Sequence, residues 1–138
     1  MQESIAASSP EADGEVIEVR LPAVPTHLPV LRTFTADLAA RLDFNLDEVA
    51  DLRMAVDEAC SGLVSRATKA TQLICSFTLE PDALWVIVSA HTTDGTPPAR
   101  DTFGWRVLTA LVDTVDTDAD GDGHVTVKLY KRRAGSVA

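Results

Sequence analysis

Asp51-Leu52-Arg53-Met54-Ala55-Val56-Asp57-Glu58-Ala59-Cys60 is the stretch on which the reading of this chain turns. It lies inside a longer helical pattern that opens at Asn45 and runs to about Ala67. Asn45 carries an N-cap side chain and Glu48 follows three residues on, the two halves of a capping box. Leu46, Val49, Leu52, Val56, Ala59, Leu63 and Ala67 fall on one side of this helix. Asp51, Ala55, Glu58, Gly62 and Ser65 form a second row, each about one turn from the next. That row places a carboxylate and, one turn later, a glycine on a single strip. A glycine inside a helix costs about 1 kcal/mol relative to alanine, so Gly62 needs a reason.

Working outward, Thr26 to Leu42 has Leu28, Leu31, Phe34, Leu38 and Leu42 at spacings of three and four, which predicts an amphipathic helix. Pro29 is tolerated in its first turn. Before it, Ile17, Val19 and Leu21 alternate with Glu18 and Arg20 as a strand, closed by Pro22 and Pro25. On the other side, Leu73, Cys75, Phe77 and Leu79 predict a strand, and Pro81-Asp82 a turn. Leu84 to Ala90 is the returning strand; Trp85 and Ile87 make its second face apolar as well, which suits a central, covered position. His91 to Asp101, with Gly95, Pro97 and Pro98, predicts a mobile loop. Phe103 to about Val115 predicts a third helix, and Val125, Val127 and Leu129 alternate as a last strand. Lys131-Arg132-Arg133 is expected to be a solvated basic tail.

The order β-α-α-β-β-α-β predicts an α+β fold. It is a two-layer sandwich, a mostly antiparallel four-stranded sheet with three helices on one face. Residues 1–14 are expected to be disordered, 15–133 to form a single domain and 134–138 a tail. No internal repeat is present.

The chain has 138 residues and a formal net charge of −9. Such an acidic chain repels the phosphate backbone, so direct nucleic-acid binding is not expected and a basic protein partner is. No apolar run approaches the roughly 18 residues of a membrane span, and the first residues lack the pattern of a secretory signal. No membrane association and a cytoplasmic location are expected. Cys60 and Cys75 sit in no CxxC or Cys/His cluster, so zinc is not expected and both read as reduced, buried thiols.

The stretch from Asp51 to Cys60 resembles the second helix of RsbW-type anti-sigma factors, members of the histidine-kinase-like ATPase (GHKL) superfamily. Phe103-Gly104-Trp105-Arg106-Val107-Leu108-Thr109-Ala110-Leu111-Val112-Asp113 is similar to the family's glycine-opened helix after the ATP lid. The likeness spans about residues 15 to 131 and fits a divergent, actinobacterial-like member. It implies a Bergerat-type fold and a site in which a glutamate acts as general base on the γ-phosphate. An asparagine four residues later holds Mg²⁺ there, an aspartate after the central strand reads adenine, and glycines let backbone N–H groups approach the phosphates.

Carried onto this chain, the resemblance gives Glu58 as the candidate catalytic base. Glu58, Gly62, Asp94, Gly95 and Gly104 are the candidate ATP-binding positions, and no metal ligand is assigned. The departures are specific. The asparagine position is Gly62, and Ser61 beside it points about 100° away. The central strand ends in Ala90-His91-Thr92-Thr93 where the family has its aspartate, and Asp94-Gly95 is out of register. Losing a metal ligand and the adenine acid together removes several kcal/mol of nucleotide binding, at about 1.5–3 per charge-assisted contact.

Asp118-Ala119-Asp120-Gly121-Asp122-Gly123-His124-Val125 matches the first eight positions of an EF-hand calcium loop. Its twelfth position is Leu129 instead of glutamate, and a strand pattern stands where a helix is required. It is expected to be an acidic, glycine-rich turn between helix and strand. The resemblance thus implies an anti-sigma factor that sequesters an alternative sigma factor and is released by a STAS-type anti-anti-sigma protein, with homodimerisation possible. The alternative is an active serine/threonine kinase that phosphorylates its STAS antagonist from ATP-Mg; a calcium-responsive module is a third. Phe103 and Trp105 are open between core anchors and partner contacts.

Overall fold

The computed structural model describes residues 14–135. The expected disordered leader therefore lies, except for Gly14, outside the described residues. Five strands form one antiparallel sheet in the order β1-β2-β3-β5-β4. These are β1 (Glu15–Pro22), β2 (Gln72–Glu80), β3 (Ala83–His91), β4 (Thr114–Ala119) and β5 (His124–Arg132). The helices are α1 (Leu28–Arg41), α2 (Leu46–Val64) and α3 (Phe103–Leu111), with a short 3-10 turn over Pro25–His27 ahead of α1.

The core forms because period-two strands and period-3.6 helices turn their apolar sides to the same layer. Phe77 stands opposite Val86, and Val86 opposite Leu129; Cys75, Val88 and Val127 make the next row. All six are buried and pack with Leu31, Leu38, Leu52, Val56 and Leu63 of α1 and α2. Phe34 meets the Phe77 ring edge-on at 5.1 Å. On the other sheet face Trp85 is buried against Tyr130, with ring centroids 4.8 Å apart. β3 is central, as its two apolar faces predict.

α2 begins as expected. Asn45 Oδ1 accepts the Glu48 N–H at 2.8 Å, and Glu48 Oε1 accepts the Asn45 N–H at 2.9 Å. The second Glu48 oxygen accepts the Ala134 N–H, so the same residue also fastens the end of the chain. Leu46 does not join the core; it is 87% exposed. By Ala67 the chain is extended and bridged to Thr92, so the helix stops at Val64.

Four expectations are corrected. The sheet has five strands, not four. The third helix ends at Leu111 because Val112 is extended (φ −130°, ψ 167°) and the Asp113 N–H goes to the Tyr130 carbonyl, opening a β ladder. β-Branched Thr114, Val115 and Thr117 then continue it as β4, where a strand was missed. In consequence the acidic glycine-rich turn joins β4 to β5; it does not follow a helix, and Asp118 and Ala119 belong to β4. The basic tail is not simply solvated. Lys131 Nζ donates to the Leu111 carbonyl at 3.0 Å, and Arg132 reaches Asp82.

Cys60 and Cys75 are both free and fully buried, with sulfurs 4.0 Å apart between α2 and β2. The contact with Cys75 and burial hold the Cys60 thiol well above its usual range, so it stays protonated.

Candidate functional site

α2 carries its second row along the side that faces α3 and the loop before it. Glu58, Ala59, Gly62, Ser65 and Arg66 line one wall of a cleft of about 370 Å³. The loop from Thr96 to Ala99 and the start of α3, with Thr102, Gly104, Trp105 and Leu108, line the other. Three of the five candidate positions, Glu58, Gly62 and Gly104, therefore meet in one place although they are up to 46 residues apart in sequence.

Their surroundings differ. A β-carbon built on Gly62 would meet nothing within 4 Å, so tight packing is not why glycine stands there. A β-carbon on Gly104 would lie 2.5 Å from Glu58 Oε2. The carboxylate thus rests against the first turn of α3. Among the described residues it forms no ion pair and no hydrogen bond. α3 itself begins at Thr102, whose hydroxyl accepts the Trp105 N–H at 3.1 Å.

Asp94 and Gly95 lie outside this cleft, in a second depression with His91, Thr92, Thr93 and the turn Gly121–Gly123. Arg66 Nη1 donates to both Asp94 oxygens, at 2.9 and 3.1 Å, and to Thr96 Oγ1 at 3.0 Å. The Thr96 backbone N–H, its hydroxyl and Arg66 hold the Asp94 carboxyl below the usual carboxylate range. This carboxylate is engaged by Arg66 and by the Thr96 N–H at the loop root, and it lines the second depression. Gly95 has φ +65° and packs on the Gly123 backbone. Ala90, which opens the segment Ala90-His91-Thr92-Thr93, is fully buried in the core.

No group of three or more His, Cys, Asp or Glu residues that could hold a metal ion exists among the described residues. At the matching position Gly62 offers no ligand atom, and the neighbouring Ser65 hydroxyl donates to the Gly62 carbonyl. In the acidic turn, Asp120 Oδ1 accepts the N–H groups of Asp122 and His124, as a turn-forming aspartate does.

Comparison with known proteins finds RsbW proteins. The chain is 36% identical over 105 residues to the anti-sigma-F factor RsbW of Mycobacterium tuberculosis, covering 76% of this chain and 62% of that protein. It is 27% identical to the serine-protein kinase RsbW of Bacillus pumilus, covering 85% of each. The chain is similar to RsbW proteins over most of its length. It spans about three-fifths of the mycobacterial relative's length. The fold agrees: a crystal structure of RsbU and RsbW domains from Mycobacterium tuberculosis superposes with a TM-score of 0.69 at 18% identity, over 86% of this chain and 32% of that one. No family model matches the chain.

Against the RsbW pattern, sequence reasoning missed Arg66, Thr96, Thr102 and Pro98 as cleft residues. Arg66 had a signal, since it lies four residues after Gly62 and continues the Glu58 strip. Trp105 is half-buried in the cleft wall with the Arg100 guanidinium stacked over it at 4.8 Å, while Phe103 is 79% exposed. His91 is the last residue of β3. Its Nδ1 lies 3.1 Å from Thr68 Oγ1, and Nε2 lies 2.8 Å from the Asp122 carbonyl.

Proposed function

We propose that this chain is an anti-sigma factor. It binds an alternative sigma factor, keeps it from RNA polymerase, and yields it to a STAS-type anti-anti-sigma protein. The observation that carries the reading is the 36% identity over 105 residues to a protein named anti-sigma-F factor RsbW. The net charge of −9 supports a basic partner surface, with electrostatics speeding encounter more than setting affinity. In this reading the protein works in the cytoplasm and pairs with a second copy of itself. No helix of the described residues is long and apolar enough to cross a membrane.

Binding does not need phosphotransfer, and the cleft supports a role without it. Gly62 brings no side chain to hold a metal, Ala90-His91-Thr92-Thr93 brings no acid to read adenine, and Asp94 is engaged by Arg66. The residues present do not fit ATP-Mg of the kind the family resemblance implies, so no phosphoryl-transfer step is derived. The deciding experiment is co-purification of the tagged chain with the alternative sigma factors of its own cell. Retention of one carries the proposal; retention of none removes it.

A second reading is favoured by the Bacillus relatives named serine-protein kinase. In it Glu58 is the general base for phosphorylation of the STAS antagonist. Calorimetry with ATP-Mg tests it directly, and no heat at millimolar nucleotide removes it.

A further inference from the structure

The segment between β3 and α3 forms a wall of the cleft, and side chains tie it down at both ends. At its foot, Arg66 Nη1 donates to Asp94 Oδ1, Asp94 Oδ2 and Thr96 Oγ1, at 2.9, 3.1 and 3.0 Å. Asp94 Oδ1 also accepts the Thr96 N–H at 3.1 Å, which sets the carboxylate in place for Arg66. At the far end the Thr102 hydroxyl donates to the Ala99 carbonyl at 3.1 Å, and the Arg100 guanidinium lies 4.8 Å from the centre of the Trp105 ring. The stretch between these ties has little else to hold it. Among the described residues, no backbone hydrogen bond joins residues 97–101 to α2 or to the sheet. Pro97 and Pro98 have no N–H to give.

An isolated exposed ion pair contributes little to stability. The Arg66 contact is better placed than that. Its side chain is only 26% exposed, one nitrogen serves three acceptors, and charge strengthens two of the bonds. Its backbone is fixed as well, because the Arg66 carbonyl accepts the Thr93 N–H at 2.9 Å.

We propose that residues 96–101 are a strap over the cleft and that Arg66 is the latch that holds it shut. The inference rests on the geometry of the cleft and not on the anti-sigma reading. With the latch made, the strap stands against Ala59, Leu108 and Trp105. With it broken, only the ties at the α3 end remain, and the strap is free to leave α2. Arg66 then sets how often the cleft stands open, and whatever enters from this side enters against its contact with Asp94.

Trypsin reads the strap directly, because Arg100 is the only lysine or arginine between Lys69 and Arg106. The full chain is digested briefly, and cleavage after Arg100 is followed by mass spectrometry beside cleavage after Arg53 inside α2. Arg66→Gln and Asp94→Asn should each be cut after Arg100 at least about fivefold faster than wild type, with cleavage after Arg53 unchanged. Arg66→Lys keeps the charge and should stay within about twofold of wild type. Acrylamide quenching of tryptophan fluorescence should rise in the two fast variants, as Trp105 loses its Arg100 cover while Trp85 stays buried. Unchanged cleavage after Arg100 in either folded variant overturns the proposal. Equally faster cleavage after Arg53 overturns it too, because the whole fold and not the strap would then be loose. An Arg66→Lys protein cut as fast as Arg66→Gln also overturns it, because charge would not be the cause. Melting curves identify a variant that has not folded, and the other then carries the comparison. The sigma-factor co-purification is scored on wild type, so the anti-sigma reading stands or falls separately.

Discussion

Two regions of the molecule use glycine in opposite ways. At the cleft, Gly62 faces open space and Gly104 makes room for a carboxylate. At the β4–β5 turn, Gly123 has φ +98° and its missing side chain is replaced by the His91 ring, 2.5 Å from where a β-carbon would sit. The first region does not need glycine for its backbone, because a β-carbon at Gly62 meets nothing and one at Gly104 meets only the movable end of Glu58. The second needs it for the backbone itself, since a left-handed residue with a β-carbon is strained. The difference separates positions that a ligand site can spare from positions that the fold cannot.

Gly123→Ala should give the largest effect. His91 is hydrogen-bonded at both ring nitrogens and has little freedom to retreat, so a loss of about 1–3 kcal/mol is expected in urea unfolding. Gly62→Ala should go the other way, stabilising by about 1 kcal/mol through helix propensity, because nothing opposes the new methyl. A destabilised Gly62→Ala protein would break the comparison. Gly104→Ala should lie within about 0.5 kcal/mol of wild type. The Glu58 end can swing aside, and the lost helix-end contact roughly offsets the gain in propensity.

The smallest effect concerns acid. The Asp120 carboxyl is held below its usual range, first by the Asp122 N–H and then by that of His124. A depressed folded pKa contributes stability above the unfolded value near 3.9, and that contribution disappears as pH falls through the lower folded value. Melting temperatures of wild type and Asp120→Asn should therefore differ slightly at neutral pH and converge well below pH 4. Asp120 is solvent-exposed, which keeps the difference small.

Much of the fold was legible because burial follows period. The capping box at Asn45 and Glu48, the central position of β3 and the Leu52-Val56-Leu63 face of α2 all came from spacing. β4 was not legible. Val112 and Val115 continue the helical spacing of α3 equally well, and only the pairing of Asp113 with Tyr130 breaks it. The basic tail failed for a similar reason. Lysine and arginine next to a strand end look solvated until the carbonyl of Leu111 and the carboxylate of Asp82 are placed beside them. At the site, the Glu58 strip was readable on one helix. Its closure by Thr96, Thr102 and Trp105 was not, because those residues reach it through the path of a loop.

By itself the sequence determined the helix that carries Glu58 and Gly62, the alternation of the strands and the absence of a side chain where a metal ligand would stand. These are local properties of backbone period and residue type. Only the tertiary structure decided what faces those residues. It put α3 against Glu58, left Gly62 facing open space, and turned Asp94 onto Arg66. Such contacts depend on how separate elements pack, and no spacing along the chain encodes the distance between one helix's carboxylate and another helix's first turn.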